Sequence, residues 1–540
     1  MNDTAIKNFC IWARRELIAQ VAIQAQRFGI RPDGYEPATI DVVEGRLLNA
    51  QEKRQRAELL ERFKGVSSED YQAVYEKLID EAAYIWFNRM IAIRYMELND
   101  RLPAHVRVLS ADDGSFRPQV IREALDVQID GLDPERISAL IDRADDEALF
   151  RYLFLAQCQE LSACLPDVFE PVGAAMELLL PEQLLRSGSV IDHLVTDIPE
   201  ADWLNGVEIV GWMYQYYVSE RKDEVFAAFK KGAKADASAL APATQLFTPE
   251  WIVQYLTQNS LGRLWVQTHP QTQLPDEMPY YIPDEEAGEA TLDQISPEDI
   301  SVIDPACGSG HILVYAFRLL AAMYEEAGYS RRDIPRLILK NNLTGLEIDP
   351  RAAALASFAL SMTACEWDSR FLRREDKPNP NIVCLKPVDF SDGELSDLPL
   401  LAARKQLLDA MTHMDLCGSL FVPDVADFAA LESAEGELAA REAAGDVFAH
   451  GLLEKVQTML NNCKPLAQTY DCVIANPPYM GSKNMDKWLS DWTKKHYPDS
   501  YRDLCTCFIE RGFSLSKKDG YSAMITMQSW MFLGSFEDLR

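Results

Sequence analysis

Asn476, Pro477, Pro478 and Tyr479 stand within DCVIANPPYMGSKN, residues 471–484, directly after an apolar run that reads as a buried strand. Two consecutive prolines fix two φ angles and remove two backbone donors. The carbonyls at this strand end are then held without an N–H alongside them, so the Asn476 amide oxygen and the Pro477 carbonyl can converge on one amino group. Tyr479 adds a flat face on which a ring can stack. Paired acceptors and a stacking ring suit the exocyclic amine of a planar nucleobase, and such chemistry requires no general base. A proline turn at a domain rim is the plainer reading of the same residues. Two other strand ends carry similar signals. In DPACGSGH, residues 304–311, Gly308 and Gly310 allow a tight turn and a close backbone approach to a ligand before a helix opens. In GLEIDP, Glu347 follows Gly310 by 37 residues (347 − 310), where its carboxylate can accept two hydrogen bonds from a ribose diol. That spacing and the lack of a third glycine argue against a dinucleotide fingerprint. A solvated strand-end carboxylate is an equal reading of Glu347 alone.

These residues need a scaffold that brings strand ends together. From Ile300 onward, short apolar runs (SVIDPA, LTGLEI, NIVCLKP, DCVIAN and YSAMITMQ) alternate with helical stretches such as HILVYAFRLLAAMYEEAG and PRAAALASFALSMTACEW. Such alternation predicts an α/β fold, a parallel sheet with helices on both faces, whose ligands bind at the carboxyl ends of the strands. Residues 1–240 show helical periodicity with few β-branched runs and predict an all-helical domain. Lys230–Thr244, KKGAKADASALAPAT, reads as a linker or exposed loop, because it is small, polar and interrupted by Gly and Pro. The expected catalytic domain is 241–540. Within it an insertion, 391–465, reads as helices rich in Ala, Glu and Leu, with an acidic face that is solvated or docks a partner.

Composition limits the functional classes. A chain of 540 residues exceeds what one core usually organises, so at least two domains are expected. The formal charge of −31 disfavours nonspecific adhesion to DNA or anionic membrane by the surface as a whole. Any duplex contact must therefore use a local basic patch or another segment, and Lys483, Lys487, Lys494 and Lys495 form the basic cluster that follows NPPY. Arg89 and Arg94 interrupt the most apolar helical stretch, Ala82–Met96, well short of a membrane span. The eleven cysteines form no CxxC pairs and the seven histidines show no ligand spacing, so neither a disulfide framework nor a metal site is expected. A cytoplasmic protein without a membrane partner is the expectation.

DPACGSG, GLEIDP and NPPY, in this order, resemble motifs I, II and IV of the amino-group DNA methyltransferases. Phe247, Thr248 and Pro249 in QLFTPEWIVQYL match the motif expected upstream of the first strand. Thr248 and Pro249 also read as the N-cap and first residue of a helix. Asp389 and Phe390 in KPVDF loosely resemble motif III. More narrowly, NPPYMGSKNMD, YRDLCTCFIERGFSL and YSAMITMQSWMFLGSFEDLR resemble the PglX-type adenine-specific methyltransferases of BREX phage-defence systems.

The resemblance implies a Rossmann-like sheet that binds S-adenosylmethionine, with N6 of adenine in duplex DNA as the methyl acceptor. It implies that Phe247 and Thr248 meet the methionyl end of the cofactor, while Asp304, Pro305, Ala306, Gly308 and Gly310 form its floor. Glu347 would bind the ribose hydroxyls, Ile348 would pack on the adenine ring, and Asp389 and Phe390 would read its amino edge. The target base must leave the duplex to enter such a pocket. Asn476 and the Pro477 carbonyl would then accept from its N6, beside Pro478, while Tyr479 stacks on the ring. Enzymes of this type add two more strands, a target-recognition region and a C-terminal part, which implies a sheet incomplete at its C-terminal end and weak duplex binding by this chain alone. Other phage-defence proteins are possible partners. NPPY also occurs in enzymes that methylate protein glutamine or RNA guanine, and a non-catalytic scaffold subunit is the alternative of a different class.

Overall fold

In the computed structural model, residues 2–113, 116–169, 175–245, 248–283 and 293–540 are described. The chain forms two compact units, Met1–Glu220 and Arg221–Arg540.

The first unit is built mainly from helices, among them Asp3–Arg27, Ala50–Glu61, Tyr71–Leu98 and Asp146–Cys164. It is not purely helical. Two short hairpins pair Ile30–Arg31 with Gly34–Tyr35 and Val42–Val43 with Arg46–Leu47. In the second, Glu44 and Gly45 both take positive φ, 49° and 76°, the backbone that a two-residue hairpin turn requires. The apolar stretch Ala82–Met96 lies in the Tyr71–Leu98 helix and is buried within this unit. Arg94 is fully buried there because Glu97 and Ser110 accept from its guanidinium, at 2.6 and 2.7 Å. Among the described residues, no helix is long and apolar enough to cross a membrane.

The second unit contains the parallel sheet. Its strands are β1 (Val302–Asp304), β2 (Leu343–Glu347), β3 (Ile382–Cys384), β4 (Tyr470–Ala475) and β5 (Ser516–Met524), in the spatial order β3-β2-β1-β4-β5. Every residue of β1, β2 and β4 is buried, as expected for parallel strands covered on both faces. The register sets Asp304 beside Gly345, Glu347 beside Cys384, and Ala475 beside Met524. The strand order reverses on either side of β1, so the loops after β1 and β4 diverge and leave a crevice at their carboxyl ends.

The helices that shape this crevice are α1 (Ala237–Thr244), α2 (Glu250–Thr257), α3 (His311–Glu326) and α4 (Pro350–Trp367). The segment read as a linker is thus ordered. Asp236 caps α1, and Ala235, Leu240 and Ala243 are buried in the apolar cluster of this unit. Gly310 caps α3 at φ 83°, and a Cβ there would stand 3.0 Å from Ala356 of α4, so only glycine allows both the turn and the approach of the two helices. Between β3 and β4 lies a helical region that includes α5 (Val425–Ala443) and α6 (Val447–Ala467). After β4 come α7 (Lys487–His496) and α8 (Leu504–Leu515).

Candidate active site

The β1 and β2 ends are stitched into one loop system. Cys307 N–H donates to the Leu346 carbonyl at 2.9 Å, which carries the turn after Asp304 over the end of β2. Asp304 is buried and accepts the Ala306 N–H at 3.1 Å. Glu347 accepts three backbone N–H groups: Gly308 at 2.8 Å on one oxygen, Ile348 and Asp349 at 2.9 Å on the other. Those bonds favour its charged form, yet burial outweighs them and raises its pKa to about 7. Burial likewise raises Asp304 to about 8, opposed by the Ala306 N–H and reinforced by the neighbouring charge of Glu347. Burial thus disfavours the charged form of both carboxylates at these adjacent strand ends.

At the end of β4 the side chains hold one another. Asn476 Nδ2 donates to Thr248 Oγ1 at 3.1 Å. The Tyr479 hydroxyl lies 2.9 Å from Asn476 Oδ1 and 2.7 Å from the carbonyl of Ile525, just past β5. Burial raises the Tyr479 pKa, so the phenol stays protonated as a donor. Thr248 does not cap the following helix, because Pro249 occupies the N-cap position of α2 and no side chain caps it. The Thr248 hydroxyl instead fixes the amide of Asn476.

Pro305, Ala306, Gly308, Glu347, Ile348, Asn476 and Pro478 line a single cavity. Asp304 and Thr248 do not line it but are each one hydrogen bond away, through Ala306 and Asn476. Pro477 is buried and Tyr479 half-buried beside it. Gly310 is turned toward α4. Asp389 is exposed, and the Phe390 ring lies 5.1 Å from the Lys455 ammonium; neither lines the cavity. The β3 end reaches the cavity through Leu385, whose N–H donates to the Glu347 carbonyl at 2.7 Å. Phe247 lies outside the described residues.

Two walls were absent from the reading of the sequence. One is α1 with the residue after it, Leu240, Ala241, Thr244 and Gln245. Its one local signal is Asp236, an N-cap residue, before an Ala-rich run that Pro242 interrupts. The other is Leu416–Leu420, between β3 and β4, which brings Gly418 and Ser419 to the cavity. Its composition is apolar and carries no functional-group signature. Together the walls give a largely apolar slot that also carries the Glu347 carboxylate, the Asn476 amide and Pro478. That arrangement can hold a flat ring and a diol at one end and an amine at the other.

Residues 341–540, which hold four of the five strands, match the Eco57I restriction-modification methylase family. Residues 288–389 match the MmeI DNA-methyltransferase domain. More particularly, the chain is a homologue of PglX-type methyltransferases, as its motifs suggested. It is 41% identical over 512 residues to the adenine-specific methyltransferase BrxX of Escherichia coli O9:H4 (strain HS), covering 86% of this chain and 41% of that protein. It is 37% identical over 593 residues to the adenine-specific methyltransferase PglX of Lacticaseibacillus casei (strain Zhang), covering 100% of this chain and 48% of that protein. The chain therefore spans less than half the length of these curated relatives. A cryoEM structure of a DrdV–DNA complex is also similar, at a TM-score of 0.41 and 11% identity, covering 99% of this chain and 36% of that one.

Proposed function

We propose that the second unit is the catalytic domain of an adenine-specific DNA methyltransferase that uses S-adenosylmethionine and acts on N6 of an adenine flipped from duplex DNA, in host DNA marking and phage defence in the cytoplasm. The observation that carries this reading is that Glu347 and Asn476, at the ends of two different strands, line one cavity. The names of its relatives, both adenine-specific methyltransferases, support it.

The donor set fits the cofactor. Glu347 Oε2, which holds a single backbone N–H, keeps an acceptor direction for a ribose hydroxyl, and Ile348, Leu385 and Leu346 offer apolar faces for the adenine ring. When bound, S-adenosylmethionine supplies an electrophilic methyl group. The chain's own residues position the acceptor. Thr248 holds Nδ2, which keeps the donor side of the Asn476 amide turned away from an incoming amine. Tyr479 holds the other end of that amide, its hydroxyl meeting Oδ1 at 2.9 Å. The Asn476 oxygen and the Pro477 carbonyl accept the two N–H groups of the target amine and draw its lone pair out of conjugation with the ring. Orientation of this kind can lower a barrier by about 7 to 11 kcal/mol.

The test is a calorimetric titration of the 540-residue chain with S-adenosylmethionine, followed by mass spectrometry of incubated duplex DNA for N6-methyladenine. Asn476→Ala is expected to bind the cofactor and leave the DNA unmodified. A chain that binds no S-adenosylmethionine, or an Asn476 variant with undiminished methylation, would overturn the reading.

A further inference from the structure

Arg511 lies in α8 and is 2% exposed, yet among the described residues it forms no ion pair with a carboxylate. A buried guanidinium is tolerated only when its N–H groups are satisfied. Here they are satisfied largely by backbone: Nε donates to the Ser419 carbonyl at 2.8 Å, and Nη2 to the carbonyls of Leu466 and Phe421 at 2.6 and 3.4 Å. Nη1 donates to Ser514 Oγ at 2.7 Å. The intervening carbonyl, that of Leu420, accepts from the Tyr497 hydroxyl. Three successive carbonyls, Ser419 to Phe421, are thus held by side chains that follow β4 in the sequence. The same segment is tied to the β1 loop, because Ser419 Oγ donates to the Pro305 carbonyl at 2.6 Å.

This fixture sits at the cavity wall. Gly418 takes φ 49°, and a Cβ there would stand 3.0 Å from Ile348 Cγ2, so its backbone runs against the side chain proposed to meet the adenine ring. We infer that Leu416–Phe421, from the region between β3 and β4, forms the outer wall of the cofactor's ring slot, and that Arg511 is the positioning residue that fixes it. The inference rests on the proposed function and extends it to residues outside DPACGSG, GLEIDP and NPPY. Arg511 touches no ligand. It acts through the wall, so its loss should weaken binding by leaving the slot less pre-organised.

The experiment uses the 540-residue chain with S-adenosylhomocysteine and S-adenosylmethionine as probes, and combines calorimetry with hydrogen exchange read by mass spectrometry. In the unmodified chain, ligand is expected to slow exchange of the amides of 416–421. Arg511→Met should weaken binding roughly tenfold or more, with Arg511→Lys intermediate because an ammonium cannot reproduce the planar fork. Ser419→Ala removes only the tie to Pro305 and should weaken binding severalfold without loss of fold. If Arg511→Met does not fold, Ser419→Ala and the exchange of the unmodified chain decide the matter. Ligand bound with no slowing at 416–421, or folded variants with unchanged affinity, would overturn this inference and leave the proposed function standing. No binding by the unmodified chain would overturn both.

Discussion

At the scale of single residues, Tyr479 has two separable roles, a ring that can stack and a hydroxyl that reaches Asn476 and Ile525. Tyr479→Phe keeps the ring and removes the hydroxyl. Loss of one such bond costs about 1 kcal/mol, so a modest fall in stability is expected, with a fall in methyl-transfer rate of about tenfold as the Asn476 amide loosens. Unaltered turnover in the Phe variant would leave stacking as the only role. Glu347 carries a second prediction. Its folded pKa of about 7 exceeds its ordinary value of 4.5, and that of Asp304, about 8, exceeds 3.8. The charged forms are therefore disfavoured in the fold, and the stability these groups contribute is complete below about pH 4 and lost as pH rises through 7 to 8. A ligand whose hydroxyls donate to Glu347 favours the carboxylate and must expel a proton. At pH 6.5, calorimetry in buffers of different ionisation enthalpy should register proton release on binding of S-adenosylmethionine, much reduced in Glu347→Gln. Equal release by both proteins would assign the proton to another group.

At the scale of elements, the five strands were legible because short apolar runs alternate with longer amphipathic ones and end in Gly, Pro or an acidic residue, as in VIDPACGSG. The cavity residues after β1, β2 and β4 were legible for the same reason. Helix α1 was not, since ASALAPAT consists of small residues with an internal Pro242 and has no polar face to set a period. Its small side chains suit close packing, a reason that becomes visible only with the partner surface. The wall at 416–420 was illegible because backbone and methyl groups do its work. The one local clue was Arg511 in LCTCFIERGFSL, the single cation of a mostly apolar helix. The status of α1 can be measured. Leu240 is 2% exposed, so Leu240→Ala should cost about 2 to 5 kcal/mol in urea denaturation, as for a core leucine. A change below about 0.5 kcal/mol would restore the reading of this segment as a loop.

At the scale of the whole molecule, the charge of −31 opposes duplex DNA, and the lysines that follow Asn476 in the sequence, Lys483, Lys487, Lys494 and Lys495, are exposed. Lys494 is itself 3.8 Å from Asp491. This chain alone is expected to bind duplex in the nonspecific range of about 10⁻⁴ to 10⁻⁶ M at physiological salt, weakening steeply as salt rises. Fluorescence anisotropy at two salt concentrations, with random duplex as competitor, checks this. Tight, sequence-selective binding would locate recognition within these 540 residues. The cavity itself has a consequence in time. Its walls come from stretches near residues 240, 306, 347, 418 and 476, and the side chain that fixes one wall comes from residue 511. Contacts so distant along the chain close late, because loop-closure entropy must be met before they form. On the ribosome, the strands could assemble while the pocket stayed open, and the ligand would find its seat only after α8 had emerged and docked. Cofactor capture would then mark the end of this unit's folding rather than assist its beginning.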